Sequence, residues 1–214
     1  VTEQAQSQPT VSPEDRQQLI RLARQTIEEV VRLGRQPEVD PSGLSSRLRE
    51  KTGCFVTLEI AGQLRGCIGH IVPREPLYQA VIDNARSAAT RDMRFSPVTV
   101  EELPRIEVEV SVLTVPVPLA FESPEDLLQK LRPHHDGVVL SVGARRATFL
   151  PQVWEKLSAK EVFLQHLSTK AGLGPDGWRS PEAKVDIYHV EAFKESEFAA
   201  PGQAPAAPSA AVKE

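Results

Sequence analysis

Leu19, Ile20, Ala23, Ile27, Val30 and Val31 recur three and four positions apart, the spacing that lines one face of an α-helix. Ser12 can cap such a helix, Pro13 suits its first turn, Glu14 and Asp15 complement its dipole, and Gly34 can end it. The period then changes. Cys54, Val56, Leu58 and Ile60 alternate with Phe55, Thr57 and Glu59, and residues 64–68 return after a turn at Gly62, which predicts a hairpin. Pro76 opens a second helix with an inner stripe of Leu77, Ala80, Val81, Asn84, Ala85 and Ala88. Ile106, Val108, Val110 and Val112 alternate with Glu107, Glu109 and Ser111, a strand with one polar face.

Ser123-Pro124-Glu125-Asp126 repeats the helix-start pattern, and residues 138–140 and 147–150 form a second hairpin around Gly143. Helical spacing runs over 152–170 and stops at Gly172; Val185, Ile187 and His189 share one face of a last strand. The order α-β-β-α-β-α-β-β-α-β has hairpins rather than a repeated β-α-β rhythm. It predicts an α+β fold, a mixed or antiparallel sheet with packed helices. Residues 1–10 are polar and 199–214 are rich in Pro and Ala, so both ends are expected to be disordered around a domain spanning 11–198.

Composition narrows the function. The 214 residues are 40% hydrophobic and 25% charged, enough for one substantial domain. No apolar run approaches the roughly 20 residues that would span a bilayer, and residues 1–10 lack the apolar segment of a secretory signal. A net charge of -4 gives no electrostatic footprint for duplex nucleic acid. Two cysteines make neither a disulfide framework nor a four-ligand zinc site, so a cytoplasmic, reducing compartment fits. The sequence has no Walker loop, dinucleotide fingerprint, H-E-x-x-H or C-x-x-C, and no cofactor or metal is expected.

Candidate chemistry centres on Leu64-Arg65-Gly66-Cys67-Ile68-Gly69. A nucleophilic Cys67 needs a positive neighbour, which Arg65 could supply, and an approach path, which Gly66 and Gly69 could provide. Packing is the competing reading, because free cysteine often behaves as a small hydrophobe. With a two-residue turn at Gly62-Gln63, Cys67 would face Leu58 and Arg65 would face Ile60 on the apolar side. Arg65 would then need a carboxylate, a bulge at Gly66 or a cavity. That register sets Cys54 opposite Ile71, so no disulfide to Cys67 is expected.

Arg91 and Arg94, with Arg86 on the preceding helix, suit a carboxylate or phosphate ligand, or else pair with Asp92, Glu107 or Glu109. Glu107 and Glu109 form either a coupled carboxylate pair or a solvated face. His134-His135-Asp136 reads as a polar turn rather than a metal site, since neighbours on an extended chain point apart. His166 is expected at the core or its boundary.

Residues 53–58 followed by 64–69 resemble the signature of the AMMECR family. Arg91-Asp92-Met93-Arg94-Phe95 is similar to its R-D-x-R-F stretch. Glu102-Leu103-Pro104 before the strand at 106–114, Asp136-Gly137, Leu150-Pro151-Gln152-Val153, and the run from Phe163 to Trp178 follow in order. The resemblance spans residues 16–196. It implies an α+β fold of two subdomains, taken here as sharing one core. It also implies a place in a small-molecule pathway with Memo-like and radical S-adenosylmethionine proteins.

The segment at 188–193 departs from the family pattern, and no role is carried over onto His189. The expectation is a small-molecule enzyme using Cys67 and Arg65 as catalytic groups, with Gly66, Gly69, Arg91 and Arg94 at the substrate. The alternatives are a protein-binding scaffold and, third, an RNA-binding module, which the acidic balance disfavours.

Overall fold

The computed structural model describes residues 11–198; the segments expected to be disordered, 1–10 and 199–214, lie outside the described residues. The chain divides into two compact units, one formed by residues 11–112 with 191–198 and the other by Leu113–Val190. Each contains a four-stranded sheet. Helices and antiparallel sheets together make the fold α+β, as the periodicity predicts. Each unit buries an apolar cluster of its own.

The first unit opens with α1 (Pro13–Leu33), capped by Ser12 Oγ accepting from the Asp15 amide and closed at Gly34, whose φ is 70°. A one-turn helix, α2 (Ser46–Arg49), absent from the periodicity reading, leads to β1 (Cys54–Ile60), β2 (Gln63–His70) and α3 (Leu77–Thr90). The sheet is completed by β3 (Ile106–Leu113) and β8 (Val190–Lys194), in the order β2-β1-β3-β8. Strand parity separates its faces. Cys54, Val56, Leu58, Val108 and Val110 are fully buried beside the buried stripe of α3. Asn84 donates from α3 to the Cys54 carbonyl at 3.1 Å. A Cβ on Gly66 would come within 2.4 Å of the Ala88 carbonyl, so a side chain there would push the helix off the sheet.

The second unit contains β4 (Val117–Pro118), α4 (Pro124–Lys130), β5 (Gly137–Val142), β6 (Arg145–Phe149), α5 (Lys160–Lys170) and β7 (Lys184–Tyr188), with sheet order β4-β7-β5-β6. The expected helix over 152–170 is instead a 3-10 turn, Pro151–Glu155, followed by α5. Trp154 stacks on Phe163 with ring centroids 3.6 Å apart. His166 is exposed, which corrects its expected place near the core. The last strand also divides: β7 ends at Tyr188, and β8 joins the other unit's sheet.

Candidate functional site: the polar face and edge of the first sheet

The β1–β2 turn sets the site. Ala61 and Gly62 both have positive φ, 51° and 73°, as a type I′ hairpin turn requires, and Ile60 pairs with Gln63. Glu59 pairs with Leu64 and Leu58 with Gly66, leaving Arg65 as the extra residue of a bulge. The bulge reverses the parity of everything beyond it. The turn falls at Ala61-Gly62 rather than at the expected Gly62-Gln63, and with the bulge this sets Cys67 opposite Thr57, not Leu58, and Cys54 opposite His70, not Ile71. Gly66 takes the helix side and Cys67 the polar side of the sheet. Both cysteines are free.

On that polar face, Thr57 lies between two cross-strand partners, Cys67 on β2 and Glu109 on β3. Thr57 Oγ1 donates to Cys67 Sγ at 3.4 Å. Cys67 is half-buried, and burial pushes its thiol up from its ordinary value, outweighing the Thr57 hydrogen bond and the Arg94 charge. Burial also raises the Glu109 carboxyl, opposed by Lys194. Lys194 Nζ lies 2.8 Å from Glu59 and 3.8 Å from Glu109, and the Glu59 contact leads the upward shift of its ammonium.

Because β2 is an edge strand, its outward main-chain groups need partners from elsewhere. α3 ends beside this edge, and the next residues supply them. The Cys67 amide donates to Asp92 Oδ2 at 2.9 Å, and Arg94 Nη2 donates to the Cys67 carbonyl at 3.2 Å. Arg94 also bonds Asp92 through Nε at 2.9 Å and Nη2 at 2.7 Å. These Arg94 contacts, ahead of the Cys67 amide, hold the buried Asp92 carboxyl well below the usual carboxylate range. Two side chains thus pair with Cys67 as a neighbouring strand would.

The sequence-predicted residues are distributed unevenly around Cys67. Arg94 reaches it directly. Arg65 is instead engaged in a bidentate pair with Glu102, at 2.7 and 3.0 Å, and donates to the Pro97 carbonyl at 3.3 Å. The space beside Gly66 is taken by Ala88, and that beside Gly69 by the Phe55 ring, 2.3 Å from a would-be Cβ. Arg91 is exposed. Arg86 donates to Gln36 at 3.0 Å.

Asp92, Thr57, Glu102 and Lys194 were not singled out as site residues by sequence. Thr57, Asp92 and Glu102 each lay inside a stretch matched to the family, at 53–58, 91–95 and 102–104, whereas Lys194 carried no signal. A groove of about 810 Å³ in the same unit lies between α1 and the turn at Leu103 and Pro104. None of the predicted site residues lines it, and its Arg24 is locked to Glu195. The Cys67–Thr57–Glu109 row lies on the sheet face instead. Among the described residues, no group of three or more His, Cys, Asp or Glu could hold a metal ion, and no helix is long and apolar enough to cross a membrane.

The family model for AMMECR1 matches residues 20–193. The chain belongs to the AMMECR1 family. An AMMECR1-family relative from Methanothermobacter thermautotrophicus is 43% identical over 190 residues, covering 86% of this chain and 96% of that protein. One from Methanopyrus kandleri is 39% identical over 187 residues, covering 84% and 87%. The crystal structure of an uncharacterized protein from Pyrococcus horikoshii is similar, with a TM-score of 0.78 and 38% identity over 86% of this chain and 93% of that one.

Proposed function

We propose that this AMMECR1-family chain is a small-molecule enzyme whose polar sheet face binds the substrate, with Cys67 as an acid–base group rather than a resting thiolate nucleophile. The observation that carries this reading is the row Cys67–Thr57–Glu109, in which the thiol and the carboxyl are both biased by burial toward their protonated forms. A thiol so placed suits proton donation. The S–H proton passes to the substrate, Thr57 and the Arg94 charge stabilise the thiolate, and Glu109 or water returns a proton to sulfur. A Memo-like and radical S-adenosylmethionine pathway remains the setting in which this step is sought.

Metabolite profiles of a deletion strain restored with wild-type, Cys67→Ala or Cys67→Ser protein test the reading. Cys67→Ala should reproduce the deletion profile at equal protein level. A wild-type profile from Cys67→Ala would overturn the catalytic role.

One observation favours a second reading, a protein-binding module. Met93 is 99% exposed at the tip of a segment braced by Asp92 and Arg94. Rigid presentation of an apolar side chain suits a partner's pocket. Under that reading, Met93→Asp abolishes recovery of a stoichiometric partner while Cys67→Ala leaves it intact.

A further inference from the structure

We propose that His189 is a proton-operated latch on Arg132, with the buried carboxylate of Asp136 as the group both can bind. In the second unit, Arg132 Nη2 lies 2.7 Å from His189 Nε2 and 2.9 Å from Asp136 Oδ1. His189 Nε2 lies 3.2 Å from the same oxygen. A guanidinium only donates and a carboxylate only accepts, whereas an imidazole nitrogen does one or the other according to its proton. Nε2 therefore cannot satisfy both neighbours. As a bare nitrogen it accepts from Arg132. As N–H it donates to Asp136 and meets a guanidinium N–H head-on. We take the shorter contact, to Arg132, as acceptance by a neutral ring that carries its proton on Nδ1.

Protonation of the ring fills Nε2, gives Asp136 a second cationic partner and sets imidazolium against guanidinium. Two of the three groups are anchored. The Asp136 side chain is fully buried, its Oδ2 accepts from the Arg132 amide at 2.8 Å, and its carbonyl accepts from Trp154 Nε1 at 2.8 Å. The His189 main chain is tied to Thr114 through both its amide and its carbonyl, each at 2.9 Å. The Arg132 side chain is 57% exposed, so it is the group that yields. With the ring 42% exposed, protons reach it from solvent.

The neighbouring titratable groups are otherwise occupied or turned outward. The Tyr188 hydroxyl bonds Thr148 and the Phe149 carbonyl, Glu191 is held by Arg16 and the Val11 amide, and His134 and His135 are exposed on the same turn as Arg132. Acidification thus replaces the Arg132–His189 contact with an imidazolium–Asp136 pair and loosens the guanidinium, which keeps its Nε contact to Asp136 Oδ1 at 3.2 Å.

Side-chain NMR of the full chain tests the latch. At about pH 8 the His189 ring should be the Nδ1–H tautomer; on lowering to about pH 5 the Arg132 guanidinium resonances should move in step with ring protonation. An Nε2–H tautomer at pH 8, or Arg132 signals that stay fixed while the ring titrates, overturns the proposal. In a His189→Gln protein with an unchanged circular dichroism spectrum, Arg132 should lose this pH dependence. Its persistence would assign the effect to another group and equally reject the latch. Should that variant not fold, the tautomer and co-titration in the wild-type protein still decide.

Discussion

An aspartate–arginine pair braces the main chain in both units, and the two braces differ in reach. Asp136 accepts from the amide and guanidinium of Arg132, four residues earlier, so it closes a local turn. Asp92 accepts from the amide of Cys67, 25 residues away on another element, while Arg94 takes the carbonyl of the same residue. The first pair stabilises a turn that the neighbouring chain already favours. The second substitutes for a missing strand at a sheet edge and fixes the main chain on either side of a thiol. One ion-pair chemistry thus serves as a turn lock in one unit and as a support for candidate chemistry in the other.

The largest effect is expected at the local brace. Asp136→Ala should cost about 2–3 kcal/mol in urea unfolding, since it strands the Arg132 amide and removes a fully buried charged acceptor. Asp92→Asn should cost less, about 1 kcal/mol, because the amide side chain keeps the shape and one acceptor oxygen. It should nevertheless speed alkylation of Cys67 as the β2 edge loosens. If Asp92→Asn proves as costly as Asp136→Ala, the distinction in reach carries no energetic meaning.

The pH dependence sharpens the same contrast. The Asp92 carboxyl is depressed in the folded chain, chiefly by Arg94. Its stabilisation is therefore whole above the unfolded carboxylate value, about 3.9, and is lost as pH falls from there toward the folded value. The stability difference between wild type and Asp92→Asn should be flat from neutrality to about pH 5 and shrink below about pH 4 in unfolding curves. A difference that grew on acidification would mean that folding raises the Asp92 carboxyl rather than lowering it.

The smallest effect separates the two cysteines. Cys54 is fully buried and its thiol is pushed up to about 12 by burial, so it should react with iodoacetamide only on unfolding. Cys67 is half-buried with a thiol raised to a lesser degree. It should be modified slowly in the folded protein at neutral pH and faster as pH rises. Mass spectrometry of the modified peptides reads both rates. Rapid neutral alkylation of Cys67 would restore the thiolate-nucleophile reading over the acid–base one.

By itself the sequence determined the local structure. Ser12, Gly34 and the stripe in α1, the inner residues of α3, and the alternation in β1 and β3 encode their elements through spacing and caps. These signals act over a few residues and survive without tertiary context. The tertiary structure decided which face Cys67 occupies, because a one-residue bulge at Arg65 inverts strand parity and leaves almost no periodic trace. It also decided the partners: Arg65 goes to Glu102, Cys67 to Asp92 and Arg94, His189 to Arg132 and Asp136. Their separations run from 25 to 57 residues, and pairing over such distances is set by how the helices and sheets pack, which no local pattern records.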